Sequence, residues 1–344
     1  MASVFYRLLK AYCATSLDFY FRKWEVHGTE NIPDGPVIFV PNHQNAFLDA
    51  ILVTCSSKKN PWFLTRANVF DKPKVASFLN KMQMLPVYRF RDGFATLKKN
   101  DQVMDNVVQK LNVGETILIF AEGSHSEHDN LAPLQKGVAR MAMAVAEGVD
   151  VAIVPVGLRY ESRFALRTNV LVNYGAPVYL KDIKTVSDNP QDKIESVLTS
   201  VRKGLQPLML HIDSENYDAK QKHLYNHRQQ QKNLQKQLES DQAIVASFPQ
   251  KGPVATFKTG SPLWRNIMMW YVKLNSLIPL ILINKMLLQK IKDPQFIGSV
   301  KFAGGMLLVP AFWCFQAFLI WQLTSSPSVA LAYLASLVIG LKLS

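Results

Sequence analysis

The sequence predicts an α/β fold, a mostly parallel sheet flanked by helices, and three observations lead there. Between about residues 25 and 205, short β-rich runs alternate with helical ones, the pattern of a parallel sheet with crossover helices. One such run, Val37-Ile38-Phe39-Val40, is apolar throughout and stops at a proline, as a buried strand does. The chain has 344 residues, enough for one large domain with appendages and a substantial core.

In chain order, residues 1–24 come first. Val4, Phe5, Leu8, Leu9 and Tyr12 recur at helical spacing, while Arg7, Lys10 and Asp18 interrupt any signal-peptide core. The pattern predicts an interfacial amphipathic helix. Residues 25–205 form the main domain. Strands are expected at 37–40, 62–65, 85–88, 116–120, 152–158 and 170–174, and helices at 74–81, 98–111 and 135–147. Residues 206–250, rich in Gln, Lys and Asn, read as a polar helical arm or a partly disordered linker.

Residues 251–344 carry the membrane signal. The stretch 299–323 holds over twenty residues with one charge near its start, enough to cross about 30 Å of hydrocarbon. The stretch 328–343 is shorter, and the brief connector makes the two a hairpin. Lys285, Lys290, Lys292 and Lys301 crowd the entry side, which places that side, and the catalytic domain, in the cytoplasm. The earlier apolar run 262–288 contains Arg265, Lys273, Asn275 and Lys285 and reads as interfacial or re-entrant.

Charge narrows the partners. Lys and Arg number 39 against 26 acids, a net of +13, which suits an anionic partner. These basic residues are scattered among membrane flanks and candidate sites rather than gathered on one recognition helix, so membrane lipids are expected and nucleic acid is not. Three cysteines, Cys13, Cys55 and Cys314, lack paired spacing, which disfavours a disulfide framework or zinc site and suits a reducing compartment.

The chemistry centres on "VPNHQNAFLDA", residues 40–50. Asn42 and His43 stand at the mouth of a strand, and Asp49 follows inside the next apolar run. A neutral imidazole can take a proton from an attacking hydroxyl while a carboxylate on its other nitrogen fixes the tautomer. No G-x-S-x-G elbow is present, so the nucleophile would belong to the substrate. A second stretch runs from a strand into Glu122, Gly123, Ser124, His125 and Ser126, then into a helix bearing Lys136 and Arg140. Turn amides, a positive helix end and basic side chains together make an anion site. "MLPVYRFRDG" places Arg89 and Arg91 beyond another strand, and "VPVGLRY", containing Pro155, is a fourth strand end. Ligands of open α/β sheets gather at such ends. His125, His128 and Asp129 imitate a metal site, but no fourth ligand accompanies them, so neither metal nor cofactor is expected.

In order and spacing, "NH…D", "PVYR", "FAEGS" and "VPVG" resemble the four blocks of the glycerophospholipid acyltransferase family, the 1-acylglycerol-3-phosphate and glycerol-3-phosphate acyltransferases. The resemblance covers roughly residues 25 to 200. It implies an acyl-CoA or acyl-carrier-protein donor and a glycerolipid acceptor. On it His43 corresponds to the general base, Asp49 to its orienting acid, and Arg89 to the basic residue of the second block. Glu122 and Gly123 correspond to the acceptor-binding block, and Pro155 to the block that shapes the acyl or acceptor site.

Two departures matter. The family separates His and Asp by four residues; five lie between His43 and Asp49. The third block of the family reads Phe-Pro-Glu-Gly-Thr-Arg-Ser, whereas Ala121 and His125 stand here for its Pro and Arg. An imidazole is not the always-charged fork of arginine, so Lys136, Arg140 or Arg89 would compensate, or the acceptor is not a simple phosphate. The expected activity is a membrane-bound O-acyltransferase of phospholipid biosynthesis using glycerol-3-phosphate or lysophosphatidate. The alternatives are a lyso-aminolipid acyltransferase, a lipid hydrolase and a non-catalytic lipid-binding protein.

Overall fold

The computed structural model describes residues 3–88, 97–145, 148–184, 189–249 and 262–344. The polypeptide opens with α1 (Val4–Tyr20), whose first turn is capped by the Ser3 hydroxyl accepting from the amide of Tyr6. Then follow β1 (Lys23–His27), β2 (Val37–Pro41), α2 (Ala46–Ser56), β3 (Trp62–Arg66), α3 (Pro73–Lys81), β4 (Met84–Val87) and α4 (Leu97–Asn112). After these come β5 (Thr116–Leu118), α5 (Gly137–Met143), β6 (Ala152–Tyr160), β7 (Asn169–Tyr174) and α6 (Pro190–Leu205). The remainder is helical: α7 (Tyr217–His227), α8 (Leu234–Ala246), α9 (Leu263–Asn275), α10 (Leu277–Leu282), α11 (Phe296–Thr324) and α12 (Pro327–Leu343).

The seven strands form one sheet in the order β1-β7-β6-β2-β5-β3-β4. Every pairing is parallel except β6 with β7. Five neighbouring strands, β6 to β4, therefore end on the same edge, where the loop after β2 and the turn after β5 meet. β2 is central, with Phe39 opposite Leu118 of β5 and Val40 opposite Pro155 of β6.

All five residues of β2 are buried, because both faces of the sheet are covered. On one face Phe39 joins Leu17 and Phe21 beside α1, Leu48 and Leu52 of α2, and Phe302 of α11. On the other, Ile38 and Val40 meet Val107 and Leu111 of α4, Val138 of α5 and Val201 of α6. Two sequence-derived bounds shorten: β5 stops at Leu118, and α5 begins only at Gly137. Strand β1 is an edge strand of alternating charged and apolar residues, KWEVH, and was not foreseen.

The helix α1 divides its apolar residues. Tyr6, Cys13, Leu17 and Tyr20 are buried against the domain, whereas Val4, Phe5, Leu8 and Tyr12 are exposed. The polar stretch after α6 folds into α7 and α8, whose few apolar positions, Leu224 and Leu238, close on Leu171 of β7. Asp241 of α8 is fully buried and accepts from Arg228 at 2.9 Å and from Gln237 at 2.8 Å.

Helix α11, of 29 residues, is the one helix among the described residues that is long and apolar enough to cross a membrane by itself. Residues 263–275 and 277–290 pass the same test only as a pair bent by 76°. Helices α11 and α12 are joined by residues 325–326 and share a small core with α9: Val272, Trp313 and Leu337. The first turns of α11 pack instead on the α/β domain, where Phe302 meets Tyr20 edge-on at 5.4 Å.

Candidate active site

The loop leaving β2 carries His43, and α2 begins three residues later. Ala46, its first residue, has φ +40°, a left-handed conformation that a side chain normally avoids. That turn accommodates the five-residue separation of imidazole and acid. It puts Asp49 in the first turn of α2 with its carboxylate aimed back at the loop.

Four donors converge on Asp49, which is fully buried. Its Oδ2 accepts from the amides of Gln44 at 2.8 Å and Asn45 at 2.7 Å, and lies 2.9 Å from Nδ1 of His43. Its Oδ1 accepts from the hydroxyl of Tyr160 at 2.5 Å. Burial first, then the neighbouring Asp49, holds the Tyr160 phenol well above its ordinary pKa, so it stays a donor. A carboxylate so supplied accepts a hydrogen bond from the protonated Nδ1 of His43, leaving Nε2 as the basic nitrogen. The imidazole is clamped in place, stacked on Phe120 with centroids 3.7 Å apart and planes at 15°.

The Glu-Gly turn packs directly against this couple. Glu122 is buried, and its two oxygens accept from the amides of His43 at 2.8 Å and Ala132 at 2.9 Å. Burial raises its pKa, opposed by those two amides. Its carboxylate thus ties the His43 loop to the segment beyond the turn. Gly123 has φ +73°, and a Cβ there would sit 3.2 Å from the Gln135 side chain. Ser124 is exposed.

His125 enters the centre. Its Nδ1 lies 3.3 Å from Nε2 of His43, and its Nε2 lies 3.0 Å from Oδ2 of Asp293. Burial and the adjacent His43 push its pKa down, Asp293 pulls it back up, and Arg66 at the end of β3 lowers it further.

Other expected residues sit apart from this group. Asn42 is buried and spends its side chain on the backbone of Leu158, donating to the carbonyl at 3.1 Å and accepting from the amide at 2.6 Å, which extends the β2–β6 ladder. Pro155 is inside β6, where its ring faces Gly204 of α6 on the covered face. Lys136 and Arg140 are exposed, and among the described residues neither forms a hydrogen bond or ion pair with the His43 group through its side chain. Arg89 and Arg91 lie outside the described residues. Among the described residues no cluster of three or more His, Cys, Asp and Glu is arranged to hold a metal ion. Asp129 is instead bonded to Arg159, Arg163 and Gln44.

Four contributors escaped the sequence: Tyr160, Phe120, Ser299 and Asp293. Ser299, in the first turn of α11, donates to the carbonyl of Asn45 at 2.7 Å and accepts from the amide of Leu48 at 2.9 Å. Tyr160 could have been found as a phenol at the C-terminal end of a strand parallel to β2. Nothing local marks Ser299, 254 residues from Asn45, or Asp293, 168 residues from His125.

At the edge where five parallel strands end, His43 is oriented by Asp49 through Nδ1 and turns Nε2 towards Nδ1 of His125. Residues 23–159 match the family model described as Acyltransferase. The chain is 25% identical over 193 residues to a chloroplastic 1-acyl-sn-glycerol-3-phosphate acyltransferase of Brassica napus, covering 53% of this chain and 52% of that one. It is 31% identical over 142 residues to one from Arabidopsis thaliana, covering 40% and 36%. Glycerol-3-phosphate O-acyltransferase 1 of Saccharomyces cerevisiae is 33% identical over 111 residues, 30% of this chain and 15% of that one. The chain thus spans about half, or less, of the length of these curated relatives. A solved structure, the 1-acyl-sn-glycerophosphate acyltransferase of Thermotoga maritima, is 19% identical with a TM-score of 0.42, covering 59% of this chain and 79% of that one.

Proposed function

We propose that this protein is a membrane-bound O-acyltransferase that moves a fatty acyl chain from acyl-CoA or acyl-carrier protein to a glycerolipid hydroxyl. The observation that carries the reading is the 2.9 Å contact between His43 Nδ1 and Asp49, which leaves Nε2 basic at the edge where the strands end. In the reaction Nε2 takes the proton of the acceptor hydroxyl as its oxygen attacks the thioester carbonyl. The C–S bond breaks, the thiolate leaves, and the imidazolium returns a proton to it. Asp49 orients the ring and steadies its cationic form. Arg89 and turn amides are the candidates for the carbonyl oxygen as it gains charge.

The family resemblance and the names of the relatives support a glycerophosphate-type acceptor, glycerol-3-phosphate or lysophosphatidate. A specific observation favours a second acceptor class. Where the family block has arginine, this site has His125 backed by the carboxylate of Asp293, a weaker partner for a phosphate. That favours a lyso-lipid whose head near the hydroxyl is not a phosphate, such as a lyso-aminolipid. Helix α11 supports anchorage in a membrane, and the lysines before it support a cytoplasmic catalytic domain.

The test crosses acyl-CoA and acyl-carrier protein with glycerol-3-phosphate, lysophosphatidate and a lyso-aminolipid, using membranes that contain the protein or its H43A variant. Transfer to one acceptor that the variant abolishes supports the assignment. Fatty acid released at full rate without any acceptor identifies a hydrolase instead.

A further inference from the structure

The contact between His43 and His125 fixes a proton count. Asp49 and Asp293 each receive a ring: Nδ1 of His43 lies 2.9 Å from the first and Nε2 of His125 lies 3.0 Å from the second. Both carboxylates are acceptors elsewhere too, Asp49 of two amides and a phenol, Asp293 of the Gln295 amide at 3.1 Å. The nitrogens facing them therefore carry the protons. What remains is Nε2 of His43 and Nδ1 of His125, which face each other at 3.3 Å. In two neutral rings these would be two opposed lone pairs. One proton between them turns repulsion into a hydrogen bond.

Neither ring escapes the encounter freely. His43 is stacked on Phe120, and His125 is held edge-on to Phe296 at 5.3 Å and to His43 at 4.9 Å. We infer that His125, oriented by Asp293, is a positioning residue for the base: the two rings hold one proton in common, and His43 accepts a hydroxyl proton only once that shared proton has left. The inference deepens the proposed transfer and rests on His43 as its base.

The groups facing the pair decide when the proton leaves. Asp293, from the segment before α11, favours it. Arg66, at the end of β3, and burial disfavour it. Behind His43 stand Asp49 of α2, Tyr160 of β6 and Glu122 of the turn after β5. An arginine at position 125 could not part with a proton in this way. Asp293, moreover, lies beyond the family-matched residues 23–159, so the helical C-terminal part sets the state of the site.

The 344-residue protein in detergent is treated with diethyl pyrocarbonate, which acylates neutral imidazoles, from about pH 5 to about pH 8, the range in which histidines titrate. Peptide mass spectrometry gives the rates at His43 and His125 separately. Wild type is expected to show one common midpoint for both residues. His125→Phe keeps a ring but offers no nitrogen, so His43 should react about threefold or more faster on the acid side. Asp293→Asn removes the charge that favours the proton, so the common midpoint should fall by about one pH unit. Where transfer is measured, the acid limb of kcat/KM in Asp293→Asn should move the same way. Equal His43 rates in wild type and His125→Phe, or a midpoint unmoved in Asp293→Asn, overturn the shared proton. If no donor and acceptor pair gives transfer but these shifts appear, the proposed activity fails and the shared proton stands.

Discussion

The hydroxyl of Tyr160 donates to Oδ1 of Asp49 across 2.5 Å, joining the last residue of β6 to the first turn of α2. Among the described residues no other donor reaches that oxygen, and Asp49 is fully buried. Tyr160→Phe therefore strands a buried charged acceptor. It should lower stability by about 1–3 kcal/mol and reduce turnover more than it raises KM, because the phenol supports the base rather than the substrate. Thermal melts and initial rates on the same preparation measure both.

The imidazole itself is the larger test. Replacing His43 by alanine removes the ring that Asp49 orients. Turnover should fall by about a hundred- to ten-thousandfold, the range for loss of a general base, with circular dichroism unchanged. Asp49→Asn keeps the shape but presents an N–H or a neutral oxygen to Nδ1, so a loss on the order of a thousandfold or more is expected. Near-normal transfer by either variant, with its fold intact, would remove His43 from the mechanism.

How far the sequence reaches is clear from these residues. His43 and Asp49 were legible because both lie on one short stretch at a strand end. The parallel order of the sheet was legible from alternating strands and helices. Strand β1 was not, since KWEVH on a sheet edge lacks the apolar run of a buried strand. Asn42 and Pro155 sit within matched blocks yet serve the sheet, because a block records proximity in sequence and not the direction of a side chain. Glu122 braces two backbone segments through amides that no pattern of side chains announces. Asp293 and Ser299 arrive through tertiary packing of α11.

A pH effect on stability follows from His211. Its Nδ1 accepts from the amide of Leu131 at 3.0 Å, which only an unprotonated Nδ1 can do. Burial, then the Arg202 cation, lowers its pKa below the ordinary histidine value. The unfolded chain therefore binds this proton more readily than the folded one. The stabilisation is complete above about pH 6.5 and is lost as pH falls through the lowered folded value. His211→Asn keeps an acceptor but cannot titrate. Its melting temperature should change less than that of wild type between about pH 7.5 and about pH 5. Identical pH dependence in the two proteins counts against the assignment.

Helix α11 should govern the site through Gly298. A Cβ there would lie 2.2 Å from the carbonyl of Arg163 and 2.6 Å from Nδ2 of Asn45, and those two atoms are hydrogen-bonded to each other at 3.0 Å. Asn45 in turn gives its amide to Asp49 and its carbonyl to Ser299. Gly298→Ala must push α11 away or displace the loop that orients the base. Overpacking of this kind costs about 1–3 kcal/mol, and turnover should fall with it although residue 298 touches neither His43 nor Asp49. Ser299→Ala removes the hydroxyl without adding bulk, so it should cost less, about 1–2 kcal/mol, and impair turnover in the same direction. Gly305, where a Cβ meets nothing within 4 Å, provides the control on the same helix. Gly305→Ala should leave both stability and turnover near wild type, and if it matches Gly298→Ala, the link from α11 to the active-site loop is not the cause.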